Sequence, residues 1–431
     1  MELWYNVIVS AERTKTGEGL PLSLRVRFSA MLFLQFMMLP AWFNTVVPYV
    51  RTLPGGDRWV MWCGMLMGFG TLASPIVGMF ADRFLNAERV LALCDAAYAL
   101  VMAGCFFVRD PALLFALLLV ACFVNMPGWS LSAAIVMANS SSRHFPGVRV
   151  FGSLGWVCSA VFSVVGIRFF GVADFDKTPW IFAAGAAAAV AGALVALLQP
   201  ATPPAAKGRK MNLADALGLR ALVLFKDRRF AAFTLLLVAS MVPFQWYMGY
   251  NTMYLDERHF QYLALTQNLG QVGELGFMLV VPVLVAKLGY RKAMVVGLAA
   301  LVFRYACFSL SVMTGSYAFD FGGILVHGLV FSLLIVGAQM YVDDHAPKEL
   351  RNQAQGFILT MMTSVGAFLS VSVFDRILGR CARPDGTHDW TVPYLTALGI
   401  SAVVMVAMAC LRVGTKAGAT AGAPSPHERR G

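Results

Sequence analysis

The stretch PALLFALLLVACFVNMPGWSLSAAIVM, residues 111–137, contains no charged side chain. About 20 apolar residues in a helix cross the roughly 30 Å hydrocarbon core of a bilayer, so this stretch is long enough to span a membrane. Of the 431 residues of the whole chain, 58% are hydrophobic and 13% are charged, with a mean hydropathy of +0.68. Soluble domains are about a quarter charged, so the composition excludes a water-soluble protein.

Apolar windows of similar length on both sides of this stretch predict twelve transmembrane helices and an all-α membrane fold. The predicted spans lie near residues 26–49, 59–80, 89–108, 111–137, 149–171, 179–199, 230–253, 266–287, 292–313, 321–342, 354–375 and 391–412.

The chain divides into two six-helix halves, which we predict at 26–199 and 230–412. A polar linker at 200–229, with seven Lys or Arg, separates them. Weak similarity between GMFADRFLNAERV after span two and LVAKLGYRKAMVV after span eight supports the repeat, and repeated halves around a midplane site are common in transporters. Residues 1–25 form the predicted N-terminal segment, and the Gly/Ala/Pro-rich tail 413–431 is predicted to be disordered.

The basic residues follow the loops and give the orientation. About 23 of the 34 Lys and Arg fall on the side of both termini and about nine on the other, so we expect both termini in the cytoplasm. The same distribution explains the net charge of +11 without nucleic-acid binding, which we do not expect. Residues 1–22 lack the features of a cleaved signal peptide.

No sequence motif indicates a cofactor, a metal site or an enzyme. The eight cysteines include no CxxC, and the spans hold no HExxH, Ser/His dyad or paired aspartates. We therefore expect no cofactor.

Among the ionisable residues inside the predicted spans, five stand out. A charge at membrane depth costs several kcal/mol unless it faces a cavity or a partner, so each is a functional candidate. They are Asp95, Arg149, Glu274, Arg304 and His327.

Glu274 in QNLGQVGELGF follows Gln271 by one helical turn. This pair can bind hydroxyls and ring nitrogens of a polar solute, and the carboxylate can also carry a proton. The alternative is a structural ion pair with Arg149 or Arg304.

Arg149 opens span five in PGVRVFGSLGW, one turn before Ser153 and two turns before Trp156. A charge, a hydroxyl and an aromatic surface on one face suit a sugar joined to a flat ring. The alternative is an arginine that extends to the cytoplasmic surface.

Other polar residues in the spans are open to more than one interpretation. In span seven, VPFQWYMGYNTMYL adds Gln245 to a polar and aromatic stretch that serves substrate or helix contacts. For Arg304 and His327 structural pairing is favoured over substrate binding, and Asp95 serves helix orientation or proton movement.

The loop after span two carries Gly78, Asp82, Arg83 and Arg89 in the pattern GxxxDRxxxxxR. This pattern resembles the signature of the major facilitator superfamily and implies a cytoplasmic gate. Gly78 would permit close helix approach, and the charged residues would pair across the gate. An ordinary solvated loop is the alternative.

More narrowly, the chain resembles the bacterial nucleoside:H+ symporters, a family of the inner membrane. The matching segments are LQF and Trp42 in span one, the GxxADR loop, RVFGSLGW, FKDRRF, QVGELGF, FRYACF, RNQAQGF and TMMTSVG. The resemblance implies that a nucleoside is bound by Arg149, Ser153, Trp156, Gln245, Gln271 and Glu274.

One departure affects the coupling. The family has an aspartate after a phenylalanine in span ten, whereas Ser332 follows Phe331 here, and Ile335 replaces an asparagine. A serine does not hold a proton near neutral pH. Coupling then rests on Glu274 or Asp95, or the protein is a facilitator, or its substrate differs.

The leading hypothesis is a monomeric carrier that imports nucleosides by alternating access, with proton symport. The alternatives are a carrier of another polar solute, such as a sugar or oligosaccharide, and a membrane sensor or scaffold without transport.

Overall fold

The computed structural model describes residues 20–81, 83–141, 144–204, 219–347 and 350–411. Helix dominates the regular structure in these ranges, and the only extended pairing within them is an isolated antiparallel bridge between Ala382 and His388. The predicted all-α fold is confirmed. The tail 413–431 and most of segment 1–25 lie outside the described residues.

Eleven helical stretches of the described chain are long and apolar enough to cross a membrane. We number the crossing helices in chain order. Ten of them are α1 (Leu22–Arg51), α2 (Gly56–Gly78), α3 (Ala87–Phe107), α4 (Pro111–Asn139), α5 (Gly147–Arg168), α6 (Trp180–Leu197), α7 (Arg228–Glu257), α10 (Tyr317–His345), α11 (Ala354–Arg380) and α12 (Thr391–Cys410).

The remaining stretch, Val280–Thr314, lies within 52 residues of helix, Leu263–Thr314, which are interrupted once. At about 1.5 Å per residue a straight helix of this length would be more than twice as long as the bilayer is thick. Gly289 interrupts it with φ +75° and ψ 160°, a conformation that is essentially restricted to glycine. We number the parts α8 (263–288) and α9 (290–314).

The chain reverses direction at Gly289. A Cβ on Gly273 would lie 3.5 Å from the carbonyl oxygen of Leu325, and Arg304 Nε donates to the carbonyl of Gly323 at 3.2 Å. Gly273 precedes Gly289 and Arg304 follows it, at about equal separations in sequence. Because both residues lie beside the same part of α10, the two parts of the helix run side by side in opposite directions. The hairpin α8–α9 brings the crossings to twelve, as the sequence predicts.

Five of the described crossing helices are locally irregular. α1 is interrupted by turns at 38–39 and 44–45, α2 at 72–73 and α5 at 159–160. α10 and α11 each contain a π-helical turn, Ser332–Val336 and Met361–Val365. Such π-helical turns are rare and often occur at functional sites.

The first six helices pack on one another, as do the last six, and the two groups meet where α1, α2 and α5 contact α7, α8 and α11. Glycines allow the closest approach. A Cβ on Gly249 in α7 would lie 3.5 Å from the Cα of Gly64 in α2, and Ser364 Oγ in α11 donates to the carbonyl of Gly68 at 2.7 Å. The domain boundaries 26–199 and 230–412 stay a prediction.

The predicted linker 200–229 is described at both ends but not over 205–218. Its first part is attached to the first six helices, since the Thr202 N–H donates to Glu88 Oε2 at 2.8 Å and its carbonyl accepts from the Ala87 N–H at 3.0 Å. Its last part forms the 3-10 helix Leu219–Lys226. The linker is thus ordered against the protein at its start.

Candidate functional site

α5 of the first group and α8 of the second meet at a buried polar contact. Ser153 Oγ donates to Glu274 Oε1 at 3.3 Å, and the two residues are 5% and 8% exposed. A carboxylate at membrane depth is costly unless a polar partner or cavity compensates it. The contact therefore marks the centre of the candidate site.

Arg149 lies one turn before Ser153 and is half-buried. Its guanidinium Cζ lies 4.1 Å from the centre of the Phe36 ring in α1, and its Nη1 is buried without a hydrogen-bond partner. The positive charge of Arg149 acts electrostatically on the Glu274 carboxylate. However, no guanidinium nitrogen of Arg149 lies within 4.0 Å of a carboxylate oxygen of Glu274. The cation and the carboxylate therefore both retain capacity for another ligand.

Aromatic rings continue this surface. Trp129 of α4 stacks on Phe36 with ring centres 4.7 Å apart and packs edge-on to Trp156 at 6.1 Å. The Trp156 indole Nε1 is buried without a partner. Sequence patterns assign no site role to Phe36, which belongs to the LQF segment, or to Trp129, because aromatic residues in apolar runs carry no signal that separates site from lipid contact.

Gln271 is 3% exposed and lies one turn before Glu274 on α8. In the orientation that satisfies both amide atoms, the nitrogen donates to the carbonyls of Gln267 at 3.0 Å and Asn268 at 3.3 Å. The amide oxygen then points away from these carbonyls, which suits an acceptor for a hydroxyl or amine.

Gln245 lies apart from this cluster. Its Nε2 donates to the carbonyl of Thr363 at 3.5 Å, inside the π turn of α11. The structure thus brings Arg149, Ser153 and Glu274 together, with Trp156 and Gln271 beside them, whereas Gln245 faces α11.

Ion pairs close one end of the groove between the two groups of helices. Twelve crossings return the chain to its starting side, which we call the terminal side, and the opposite side is the distal side. There, Arg51 Nη1 at the end of α1 lies 2.8 Å from Glu257 Oε1 at the end of α7. Lys177 before α6 lies 3.0 Å from Asp256. Each pair joins the first six helices to the last six.

Glu257 collects further donors on the distal side. It accepts from the His388 N–H at 2.9 Å, from the Trp390 indole at 2.7 Å and from His388 Nδ1 at 2.8 Å. Arg51 also donates to the carbonyl of Gly386 at 2.6 Å. The α11–α12 loop is therefore tied into the same closure.

A second layer lies between the distal ion pairs and Glu274. Asn44 Nδ2 in α1 donates to Asn268 Oδ1 in α8 at 2.8 Å. Asn268 Nδ2 in turn donates to the carbonyl of Trp156 and to Ser159 Oγ, both at 3.1 Å, at the interruption of α5. The site is closed distally by two polar layers.

Comparison with known proteins agrees with this architecture. A family model described as "Nucleoside H+ symporter" matches residues 22–415. The chain belongs to the nucleoside H+ symporter family. It is accordingly a multi-pass membrane transporter rather than an enzyme.

Two relatives from Escherichia coli (strain K12) are similar over most of their length. The putative nucleoside transporter YegT is 31% identical over 350 residues, 80% of this chain and 82% of the relative. Xanthosine permease is 26% identical over 404 residues, 89% of this chain and 95% of the relative.

Solved structures share the fold. The crystal structure of the nucleoside transporter NupG superposes with a TM-score of 0.76 at 22% identity, over 90% of this chain and 99% of that one. A D-xylose-proton symporter gives 0.70 at 12% identity, over 92% and 99%. These likenesses establish the transporter fold.

Asp95 of this symporter-family chain lies away from the α5–α8 contact. It is 1% exposed, and its Oδ2 accepts from Gln35 Nε2 of α1 at 2.5 Å. A Cβ on Gly192 of α6 would lie 3.2 Å from the same oxygen. Asp95 therefore sits among α1, α3 and α6, inside the first group of helices.

Arg304 and His327 lie inside the second group. The Arg304 guanidinium is fully buried over the Tyr247 ring at 4.0 Å, and no carboxylate of the described chain lies within ion-pair distance of it. The His327 ring stacks on Phe244 and Tyr247. The contacts of Arg304 and His327 with the described chain are thus aromatic packing and a main-chain hydrogen bond rather than an ion pair.

The gate motif is only partly described. Asp82 lies outside the described residues, Arg83 is half-buried and Arg89 is exposed in the first turn of α3. A Cβ on Gly78 would meet no atom of the described residues within 4 Å, so the described chain shows no close helix approach at Gly78.

Ser332, which stands where the resemblance places an aspartate in this symporter family, is fully buried in the π turn of α10. Its hydroxyl has no hydrogen-bond partner. Gly328, one turn earlier, packs on the main chain of Glu274. The position thus lies close behind the candidate site but offers no ionisable group.

Proposed function

We propose that this chain imports nucleosides together with protons across a bacterial inner membrane by alternating access, as a monomer with both termini in the cytoplasm. The observation that carries the proposal is the meeting of Arg149 and Glu274 from opposite groups of helices without an ion pair. Groups held this way are available to a solute that touches both halves.

The side chains suit a nucleoside. Ser153, Gln271 and Glu274 offer hydroxyl, amide and carboxylate groups for ribose hydroxyls and base edges. Trp156 offers an aromatic face for the base. Arg149 supplies donors to carbonyl oxygens and ring nitrogens.

The orientation follows from the distal closure. With the termini in the cytoplasm, the Arg51–Glu257 and Lys177–Asp256 pairs close the outer side of the described conformation. Outward opening then requires these pairs and the Asn44–Asn268 contact to break. Alternating access around a midplane site is the general mechanism of such repeated folds.

Glu274 is the proposed proton carrier. Its carboxylate touches Ser153 across the boundary between the halves, so adding or removing its proton changes the charge at that boundary. Ser332 provides no alternative in α10, and Asp95 faces another part of the molecule. Proton binding from the outside and release to the inside would couple solute movement to the pH gradient.

Purified protein in proteoliposomes tests the substrate. Radiolabelled uridine and adenosine should enter above the level of empty vesicles, and unlabelled nucleosides should compete whereas sugars and oligosaccharides should not. Uptake of no nucleoside would refute the proposal, and competition by a sugar alone would favour a sugar carrier. Nucleoside transport that is unaffected by a protonophore would identify a facilitator, which agrees with a serine in place of an ionisable residue at position 332.

A further inference from the structure

Arg149 is held in place without a carboxylate partner, and the aromatic residues beside it explain how. One face of the Phe36 ring carries the guanidinium at 4.1 Å, and Phe36 also stacks on Trp129 with an interplanar angle of 15° and ring centres 4.7 Å apart. The three groups form a stack of cation, phenyl ring and indole. Such cation–π contacts are strongest where water is excluded, and Phe36 is only 9% exposed.

Space for the stack comes from Gly152. A Cβ at this position would lie 2.6 Å from Arg149 Nη1 and 3.0 Å from Phe36 Cδ2, so any larger residue would displace the guanidinium or the ring. Gly147, earlier on the same helix, would meet no atom within 4 Å. The need for glycine at 152 is therefore local to the stack.

The stack is anchored at its far side. The Trp129 indole Nε1 donates to the main-chain carbonyl of Gln35 at 3.2 Å, and the Gln35 side chain donates to Asp95 at 2.5 Å. Since Gln35 precedes Phe36, these bonds fix the part of α1 that carries the ring.

We propose that Phe36, Trp129 and Gly152 are positioning residues that hold the Arg149 guanidinium in the site. An ion pair would also hold the guanidinium but would occupy its N–H donors. The expected effect of these residues on nucleoside affinity rests on the proposed function. A guanidinium held by ring faces keeps its in-plane N–H donors directed at the solute, so the stack orients the cation and leaves it unneutralised.

Transport kinetics test the positioning role. Phe36→Leu removes the ring face and should raise the nucleoside KM roughly ten-fold, the order expected from a desolvated cation–π contact, while the maximal rate changes little. Phe36→Tyr should restore the KM. Gly152→Ala should raise the KM in the same direction, and Gly147→Ala serves as its matched control. Unchanged KM in Phe36→Leu and Gly152→Ala would overturn the role.

A substrate-free measurement tests the stack itself. Thermal unfolding of Phe36→Leu, Arg149→Gln and the double variant forms a double-mutant cycle. If the guanidinium rests on Phe36, the second substitution should add little destabilisation to the first. Additive effects would overturn the stack. Absence of nucleoside uptake by the wild-type protein would instead overturn the proposed function and with it the positioning role, while the cycle still decides whether the stack exists.

Discussion

Two carboxyl groups, Glu274 in α8 and Asp95 in α3, are buried at membrane depth. Glu274 touches Ser153 across the boundary between the two groups of helices and is close to the Arg149 charge. Asp95 bonds to Gln35 within one group. Alternating access separates or joins groups at that boundary, so a proton on Glu274 can be linked to the movement, whereas a proton on Asp95 would not cross between the halves.

Glu274→Gln and Asp95→Asn should therefore differ. Glu274→Gln should abolish accumulation driven by a pH gradient while leaving some exchange of nucleoside across the membrane, because the amide keeps hydrogen bonding but carries no exchangeable charge. Asp95→Asn should keep gradient-driven accumulation. Uptake with and without a gradient, together with counterflow exchange, measures both. Gradient-driven accumulation that survives Glu274→Gln and is lost in Asp95→Asn would assign the proton to Asp95.

The sequence alone predicted much at the residue scale. Arg149, Ser153 and Glu274 were expected to act together, and the structure brings them into one cluster. Phe36 and Trp129 were missed, because helix periodicity does not reveal which aromatic residues of an apolar run face the protein interior. The position of Gln245 beside α11 depends on packing between the two halves, which one helix cannot specify.

At the scale of single helices, the positions at which helices end or break determine much of the architecture. The loop predicted between spans eight and nine is reduced to a reversal at Gly289, whose φ of +75° is strained for any residue with a Cβ. The spans could be predicted because their apolar length is a local property. The breaks in α1, α2, α5, α10 and α11 could not be predicted, since they depend on partners from other helices.

Gly289→Ala should lower stability by about 1–3 kcal/mol, because the cost is backbone strain. No atom lies within 4 Å of a Cβ there, so a steric clash does not contribute. Gly399→Ala in α12 is the matched control, since its Cβ would also meet no atom and alanine favours helix. Melting temperatures in detergent compare the two. Equal melting temperatures would contradict the strained reversal.

Asp176 joins two elements across the distal side. Its carboxylate accepts from Ser163 Oγ at 2.9 Å and from the Ala264 N–H in the first turn of α8 at 3.2 Å, so a residue of the α5–α6 loop caps a helix of the other group. Burial raises the pKa of the Asp176 carboxyl to about 6, from an ordinary value of about 4.

The sign of the pH effect follows from linkage. Because the folded protein holds this proton more tightly than the unfolded chain, the stabilisation is present below about pH 4 and is lost as the pH rises through about 6, by at most about 3 kcal/mol. Wild-type stability should therefore fall relative to Asp176→Asn between these values. Melting temperature against pH measures this, with exposed Asp174→Asn as control. Parallel wild-type and Asp176→Asn profiles would contradict the assignment.

At the scale of the whole molecule, the distal contacts determine whether the distal side is closed or open. Arg51 reaches Glu257 and the carbonyl of Gly386 in different parts of the second group, and Lys177 reaches Asp256. Partly buried charge-assisted bonds contribute about 1.5–3 kcal/mol each, enough to shift a two-state equilibrium between inward and outward forms by a factor of ten or more.

Arg51→Ala should open the distal side. Amide hydrogen exchange at the ends of α1 and α7 should rise roughly ten-fold, in line with the loss of one such bond. Arg58→Ala is the matched control, because Arg58 is an exposed arginine on the same side. Exchange that stays at the wild-type level in Arg51→Ala would mean that this pair does not hold the closure.

We propose that this chain moves nucleoside and proton together, and a pH-sensitive dye inside proteoliposomes measures the coupling directly. Addition of uridine or adenosine outside should acidify the interior of vesicles that contain wild-type protein, and this signal should vanish in Glu274→Gln. Nucleoside uptake without any change of internal pH in the wild-type protein, or an undiminished signal in Glu274→Gln, would contradict the account.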